Sequence, residues 1–514
     1  MTDPTRVPVL MGTGQLRANR ERRVDQVREP LELLCDAASS AAADTGLPAA
    51  EVLAGVDDVS AVCTASWTYD DLAAVVGRRL GATPRHCTDA PMGGQWPVRL
   101  VDAAAARIAA GESTRALVVG GEAQASVTLL GKSGIDPATL GWSTAPGGPP
   151  HFDPDDLGTA RMQAAGLVLP ARIYPLYENR LQADLGLTPA ENLRWSAELY
   201  AAFSQVAAQL PASWSTTARS ADELATVTPD NRMIYEPYPL GMNAMPHVDQ
   251  AAAVLMTSWS EARRLGIPDD RLVFVPGGAG CDDTVDLLDR NGYGASAALG
   301  EVLDRTLHLG GLTAAELDLL DVYSCFPVVP KLALQHLGLP REAVPTVTGG
   351  HSSFGGPLNS YSLHAVATMA ARLRDDVDAR SGLVHANGGY LTYQHAVLLT
   401  SSPPPDGYVG RPDPVRSPSV RAPSAADPRQ LLVDGAFEVT VETATVLHDR
   451  AGEPSQAFVI GRTASGVRTG AASAVGDNAT ARALSLDALP DGVRTQIGRS
   501  VRVGAVDGQA VLTV

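Results

Sequence analysis

The sequence predicts an α/β protein of two similar halves, with an inserted loop and cap region between them and a small antiparallel β-barrel after them. Strand and helix patterns alternate over residues 1–122 and again over 241–402, which is typical of a doubly wound sheet with crossover helices. Each half also contains a Gly-Gly turn followed by a helix, a strand and a second Gly-Gly. This shared order of elements indicates an internal duplication.

The first half contains the turn Gly93-Gly94, and two of its helical patterns end at Gly81 and Gly111. Glycine at these positions is typical of helix C-caps. The predicted strands lie at residues 7–12, 57–64 and 116–121, and the predicted helices at 30–45, 69–80 and up to 111.

The second half repeats this pattern around the turn Gly355-Gly356. Its stretch 319–324, before a helix that ends at Gly338, parallels 59–64 of the first half. The predicted strands lie at residues 251–257, 272–276, 317–323 and 383–389, and the predicted helices at 295–309, 327–337 and 363–373. Two α/β halves of one design are therefore expected.

The domain organisation follows from these patterns. Residues 1–122 form the first half, 123–240 an inserted loop and cap region, and 241–402 the second half. A Pro-rich linker is predicted over 403–430, since this stretch is polar and loop-like. Short alternating runs separated by Gly-rich turns over 431–514 predict the β-barrel.

Charge and composition exclude several classes of partner. The formal net charge of −17 argues against nucleic acid and anionic membranes as partners, so an anionic ligand needs a local positive site. The sequence shows no signal-peptide pattern and no long apolar run, which favours a cytoplasmic location. The cysteines are widely spaced without a Cys-x-x-Cys pair, so they are expected to be free thiols and no metal site is predicted. They are Cys35, Cys63, Cys87, Cys281 and Cys325.

Three segments carry a resemblance to a known family. Residues 100–121 contain Ala-x-x-Ile-Ala-Ala-Gly, 241–253 read Gly-Met-Asn-Ala-Met-Pro-His-Val-Asp-Gln-Ala-Ala-Ala, and 323–326 read Tyr-Ser-Cys-Phe. In this order they resemble the segment after the nucleophile, the segment near bound coenzyme A, and the Asn-Glu-Ala-Phe or His-Asp-Cys-Phe site of the thiolase superfamily. Residues 5–402 are thus similar to thiolases related to the sterol-carrier type, which implies a duplicated five-layer sandwich.

The resemblance also implies where the catalytic side chains would stand. Thiolases use a cysteine that is acylated at a helix N-terminus. In this chain the nucleophile position falls on Gly94, the histidine on Gly356 and the acid/base cysteine on Ala386. We therefore expect no acyl transfer through a covalent cysteine, because nucleophile and base act through each other. Backbone donors at Gly94 and Gly388 remain as an oxyanion site, or these glycines serve tight turns alone.

Several polar residues remain as catalytic candidates. Cys325 lies where sterol-carrier thiolases keep a catalytic cysteine, so it is a candidate acid or base, with a packed core cysteine as the alternative. Tyr323 resembles the proton-transfer tyrosine of thiolase-like aldolases, or it is a plain strand tyrosine. His351 is a third candidate, with a solvated loop histidine as the alternative. Cys87 serves as nucleophile only if its loop is rebuilt, and otherwise it is a buried structural thiol.

A CoA-ester ligand is implied by the same resemblance. The predicted acyl-CoA-binding residues are Met245 and His247, in the predicted CoA-contacting turn, and Asn387, in the loop that corresponds to the second cysteine. His247 is alternatively a plain surface residue. No covalently bound cofactor is expected, and CoA or acyl-CoA is the expected ligand.

The C-terminal region has a resemblance of its own. Residues 442–450 and 452–460 are similar to the appended barrel of thiolase-like proteins with an additional C-terminal domain. They are also similar to the OB-fold partners with which some thiolase-like aldolases hold acyl-CoA. The barrel is expected either to cover the active-site mouth or to act as an interaction module.

Three functions are consistent with this sequence. The first is a thiolase-like protein that binds acyl-CoA thioesters without the standard reaction, and the second is a retro-aldolase that cleaves an acyl-CoA with Tyr323. The third is a binding or scaffold protein without turnover. The expected partner is a small-molecule acyl-CoA, and the chain is expected to be a homodimer, with a monomer as the alternative.

Overall fold

A computed structural model describes residues 3–144, 147–150, 157–417, 424–507 and 509–514. Parts of the predicted cap, at 145–146 and 151–156, and of the predicted linker, at 418–423, lie outside the described residues, as do 1–2 and 508. The described helices are α1 (Pro30–Asp44), α2 (Ala49–Ala54), α3 (Leu72–Arg79), α4 (Trp96–Ala110), α5 (Gln124–Ser133), α6 (Ala160–Ala164), α7 (Pro170–Asp184), α8 (Pro189–Ala208), α9 (Ala221–Ala225), α10 (Trp259–Arg264), α11 (Ala297–Leu309), α12 (Val328–Leu337), α13 (Tyr361–Asp375) and α14 (Asn478–Leu484).

The strands form two large sheets and one short pair among the described residues. They are β1 (Pro8–Arg17), β2 (Asp58–Ala61), β3 (Thr68–Tyr69), β4 (His86–Asp89), β5 (Arg115–Ala123), β6 (Gly147–Gly148), β7 (Met233–Tyr235), β8 (Tyr238–Pro239), β9 (Asp249–Ser258), β10 (Val273–Asp282), β11 (Leu319–Val322), β12 (Ser381–Gly388), β13 (Tyr393–Thr400), β14 (Arg411–Arg416), β15 (Ala436–His448), β16 (Pro454–Arg462), β17 (Arg468–Ala472), β18 (Ser500–Val506) and β19 (Gln509–Thr513).

The order of strands confirms the duplication. The first half has the order β4-β2-β5-β9-β1, and the second has β11-β12-β13-β10. Each half contains a parallel pair, β2–β5 in the first and β11–β12 in the second, and the next two pairs in each half are antiparallel. In the second half an extended segment takes the outer edge position that β4 has in the first half. The Val322 N–H donates to the Pro345 carbonyl of this segment at 2.9 Å. The two halves join where β1 pairs with β10.

Five layers result from this arrangement. Helices α4 and α13 pack against each other between the two halves of the sheet. Helix α1 covers the outer face of the first half, and α11 covers that of the second. A central helix needs apolar residues all round, and α13 is buried along nearly its whole length. Both Gly-Gly turns therefore open helices of the same buried layer.

The inserted region forms a helical cap over the second half. Helix α8 begins with a capping box, in which the Thr188 hydroxyl and the Glu191 side chain satisfy each other's backbone N–H groups. It packs against the π-type turn Gly350–Phe354, which follows the second half's outer segment. In this way the cap shields the residues that lie just before the second Gly-Gly turn.

The C-terminal strands close into a five-stranded barrel of the order β15-β16-β17-β19-β18. This order, with α14 between the third and fourth strands, is that of the OB-fold. Neighbouring strands are antiparallel except β17 and β19, which are parallel. The barrel is fixed to the cap, since β7 pairs with β15.

Part of the predicted linker is structured. Strand β14 lies within 403–430 and pairs in parallel with β10. Among the described residues, no helix is both long and apolar enough to cross a membrane.

Candidate active site

The turn before α4 meets the end of β12 at the contact between the two halves. A Cβ built on Gly94 would lie 2.5 Å from the Asn387 carbonyl oxygen, and one built on Gly388 would lie 3.4 Å from the Gly94 nitrogen. Helix α13 holds the turn, because the Ser362 hydroxyl donates to the Gly94 carbonyl at 3.0 Å. The Gly94 N–H has no acceptor among the described residues, as is usual before the first turn of a helix. The two predicted oxyanion positions are thus neighbours.

The Tyr323 hydroxyl fills the space beside Gly94. A Cβ on Gly94 would lie 2.4 Å from Tyr323 Oη and 2.8 Å from Cζ, far inside van der Waals contact. Tyr323 follows β11 directly and its side chain is 7% exposed. Burial raises the pKa of the Tyr323 phenol well above its usual value, so this hydroxyl is a neutral proton donor.

His351 lies beside Tyr323 in the π-type turn. Its ring is 2% exposed, stacks on Tyr361 with centroids 3.6 Å apart, and meets Tyr323 edge-on at 4.2 Å. The solvated loop histidine considered from the sequence is therefore wrong, because α8 covers this turn. Neither ring nitrogen has a hydrogen-bond partner in the described part of the chain. Burial lowers the pKa of His351 well below its usual value, so the ring is neutral.

Cys325 and Asn387 both lie beside Tyr174. Cys325 is half-buried, and burial raises the pKa of its thiol to about 12, although hydrogen bonding to Tyr174 and to backbone N–H groups lowers it. The Asn387 amide donates to the Tyr174 hydroxyl at 2.7 Å and accepts from Gln394 at 2.7 Å. Gln394 in turn pairs with His385 at 2.8 Å. Cys325 is thus a neutral thiol, and the Asn387 side chain is committed within the protein.

Ala386 and Gly356, the other two predicted catalytic positions, differ in the space around them. Ala386 is fully buried within β12. Gly356 is buried as well, yet a Cβ there would meet nothing closer than the Met245 carbonyl oxygen at 3.4 Å. A side chain could therefore begin at Gly356, whereas Gly94 has no such space.

Met245 and His247 line a surface cavity of about 250 Å³. Arg22 and Arg219 also line it, together with Ser352, the residue after His351. The cavity is tied to the turn that carries His351, because the Met245 N–H donates to the His351 carbonyl at 3.0 Å. His247 is exposed and its Nδ1 lies 3.2 Å from the Thr128 hydroxyl. Partial burial and the charge of Arg22 lower its pKa.

Cys87 lies on the edge strand β4 and is exposed. The buried structural thiol considered from the sequence is therefore wrong at this position. The described part of the chain contains no group of three or more His, Cys, Asp and Glu side chains placed to hold a metal ion.

The structure thus brings Gly94, Gly388, Tyr323 and His351 into one neutral site, with Cys325 at its edge. It also adds Gln95, which the sequence did not single out. Gln95 is 6% exposed, and its Oε1 has no partner within the described residues. The one available sequence signal was a polar residue directly after a Gly-Gly turn at the start of an apolar helix.

Comparison with known proteins agrees with this fold. Residues 420–508 match the family described as the thiolase-like protein type 1 additional C-terminal domain. Curated 3-ketoacyl-CoA thiolases of Shewanella denitrificans and Shewanella baltica are 31% and 30% identical over 137 residues, which are 26% of this chain. The chain spans only 33% of the length of these relatives.

Solved structures resemble a larger part of the chain. A monomeric SCP2-thiolase-like protein type 1 from Mycobacterium smegmatis covers 100% of both chains with a TM-score of 0.80 and 29% identity. The Ltp2-ChsH2(DUF35) aldolase has a TM-score of 0.60 at 18% identity, over 77% of this chain and 98% of its own. Human mitochondrial 3-ketoacyl-CoA thiolase in complex with CoA has 0.54 at 14%, over 77% and 98%. The last two show the fold alone.

Proposed function

Since this chain is a thiolase-fold protein with the additional C-terminal domain of type 1 thiolase-like proteins, we propose that it binds acyl-CoA thioesters without forming an acyl-cysteine. The observation that carries this proposal is the Tyr323 hydroxyl, which stands where a side chain at Gly94 would begin. A nucleophile at Gly94 has no space while Tyr323 is present. The Gly94 N–H remains available to polarise a thioester carbonyl.

The surface cavity lined by Met245 and His247 supports binding of the CoA part of this ligand. Arg22 and Arg219 line it together with Asp230, so in a chain of net charge −17 it carries a net positive charge, the local positive site that an anionic ligand needs. It borders the turn that carries His351, through Ser352 and Met245. A structure of human mitochondrial 3-ketoacyl-CoA thiolase, which shares the fold, holds CoA. The cavity is large enough for part of such a ligand.

Calorimetry with CoA and butyryl-CoA tests the binding proposal. We expect both to bind, and the double change Arg22→Ala with Arg219→Ala to weaken both by about tenfold. Arg23→Ala is the matched control, because Arg23 is exposed and its guanidinium pairs with Asp25 at 2.7 Å. Absence of binding at millimolar ligand would leave the scaffold function. Cleavage of a 3-ketoacyl-CoA by added CoA, lost on changing Cys87 or Cys325, would contradict the proposed absence of an acyl-cysteine.

A carbon–carbon lyase is the second candidate function. The observation that favours it is a neutral imidazole with free nitrogens beside a neutral phenol. In a 3-hydroxyacyl thioester, His351 would take the hydroxyl proton as the Cα–Cβ bond breaks and an aldehyde or ketone leaves. The thioester enolate would take its proton from Tyr323, and the imidazolium would then return a proton to the phenolate. Cys325, as a thiol, would not act as the base.

Cleavage of a panel of 3-hydroxyacyl-CoA esters tests the lyase function. We expect Tyr323→Phe to lower kcat by about a hundredfold or more while the Kd for CoA stays within a factor of about two. Tyr408→Phe is the control, because it removes a hydroxyl that lies outside the site and donates to Asp102 at 2.8 Å. No cleavage across the panel would leave ester binding alone.

Assembly and location remain proposals as well. The homodimer and the cytoplasmic location predicted from the sequence are retained. The Mycobacterium smegmatis protein is described as monomeric, which supports a monomer as the alternative. Sedimentation of the full chain distinguishes the two assemblies.

A further inference from the structure

The Gln95 carboxamide occupies the space that side chains at Gly93 and Gly388 would take. A Cβ built on Gly388 would lie 1.8 Å from Gln95 Oε1, and one built on Gly93 would lie 2.4 Å from it. Gly93 also has a φ of +149°, which side-chain-bearing residues rarely adopt. The missing side chains of these two glycines therefore make the space that the Gln95 carboxamide occupies.

The Gln95 carboxamide also lies close to the backbone contact between the two halves. The Cβ position of Gly388 is 1.8 Å from Gln95 Oε1 and 3.4 Å from the Gly94 nitrogen. A ligand carbonyl on the Gly94 N–H would thus lie near the Gln95 carboxamide.

The Oε1 atom of Gln95 lacks a hydrogen-bond partner in the described part of the chain. Oε1 is buried and has no partner among the described residues, although buried polar atoms in proteins are nearly always hydrogen-bonded. Amide oxygen and nitrogen are nearly indistinguishable in shape, so either a donor or an acceptor faces the site. A hydroxyl group both donates and accepts, and it satisfies either orientation of the amide. A methylene satisfies neither.

We propose that Gln95 is the specificity-determining residue of this site and that its carboxamide binds a hydroxyl group of the acyl chain close to the thioester carbonyl. The ligand class is then a hydroxyacyl thioester, such as a 3-hydroxyacyl-CoA. This inference rests on the proposed binding of acyl-CoA thioesters and names the acyl group that the site selects. It does not depend on whether the ester is cleaved.

Calorimetry with 3-hydroxybutyryl-CoA and butyryl-CoA tests the inference. We expect the unaltered chain to prefer the hydroxy ester by about tenfold, the effect of one well-placed hydrogen bond to a buried group. Gln95→Met keeps the length of the side chain and removes its polar atoms. In this variant we expect the preference to disappear, while the Kd for butyryl-CoA stays within a factor of about two.

The change Arg22→Ala with Arg219→Ala is the matched control, because it should weaken both esters equally and leave the preference unchanged. Equal affinity of the unaltered chain for the two esters would overturn the inference even if Gln95→Met did not fold. A preference that survives in folded Gln95→Met would also overturn it. In both cases ester binding itself would stand. Failure of CoA and both esters to bind would overturn the proposed function together with the inference.

Discussion

Gly94 and Gly356 are both glycines before a buried helix, yet their surroundings differ. A Cβ on Gly94 would lie 2.4 Å from Tyr323 Oη and 2.5 Å from the Asn387 carbonyl oxygen. A Cβ on Gly356 would lie 3.4 Å or more from its neighbours, an ordinary contact, and Gly356 does not have the left-handed φ that favours glycine. Gly94 is thus required by packing, whereas Gly356 is not.

We therefore expect Gly94→Ala to destabilise the protein by about 1–3 kcal/mol through overpacking. Gly356→Ala should be neutral or stabilise it by up to about 1 kcal/mol, because alanine restricts the unfolded chain. Thermal unfolding of the two variants checks this difference. Adding Tyr323→Phe should rescue Gly94→Ala only in part, since the Asn387 carbonyl remains in place. Equal melting temperatures for the two single variants would contradict this account of the site.

Strand β5 carries a buried carboxylate that has no cation paired with it in the described part of the chain. Glu122 is fully buried and accepts hydrogen bonds from the Ser66 hydroxyl at 2.6 Å and from the Ala65 and Ser66 N–H groups at 2.7 and 2.8 Å. Burial outweighs these bonds and raises the pKa of Glu122 to about 7. Glu122 thus links the loop after β2 to β5. Its ionisation in the buried site lowers the free energy of unfolding.

The pH dependence of stability follows from this raised pKa. The folded state binds the Glu122 proton more tightly than the unfolded state, so the free energy of unfolding falls as the pH rises from about 4.5 to about 7. The loss is on the order of 3 kcal/mol. Glu122→Gln should remove this part of the slope, as measured by thermal unfolding at several pH values. Asp249, whose pKa burial raises to about 6, should keep a slope below pH 6 in both proteins. An unchanged slope between pH 6 and 7 in Glu122→Gln would contradict the assignment.

At the scale of the whole molecule, a buried arginine of the barrel binds the second half. Arg468 is 1% exposed, its Nε lies 2.6 Å from Glu442, and its Nη1 donates to the Leu288 and Arg290 carbonyls of the body. Arg462 binds the same carboxylate at 2.8 Å but is 34% exposed. The same carboxylate therefore has one buried and one more exposed partner.

Arg468→Ala should destabilise the protein by about 3 kcal/mol or more, because it leaves body carbonyls and Glu442 without their buried partner. Arg462→Ala should cost less than about 1 kcal/mol, since its charge is screened by solvent. Scanning calorimetry of both variants checks this, and we expect a separate barrel transition at lower temperature in Arg468→Ala. A larger effect for Arg462→Ala than for Arg468→Ala would contradict the role of Arg468 in docking the barrel.

The sequence by itself determined the duplicated α/β design, because apolar periodicity and capping glycines act within single helices and strands. The resemblance to thiolases also predicts the catalytic positions at Gly94, Gly356 and Ala386, and this assignment stays a prediction. The positions of the Tyr323, His351 and Gln95 side chains in the site were decided only by the tertiary structure. Gly94 and Tyr323 belong to different halves, so their contact depends on how α4 and β11 pack across the duplication. His351 is buried because α8 of the cap covers its turn, and the Gln95 carboxamide faces the site because Gly93 and Gly388 leave room for it. Such contacts between residues distant in the chain leave no periodic pattern in the sequence.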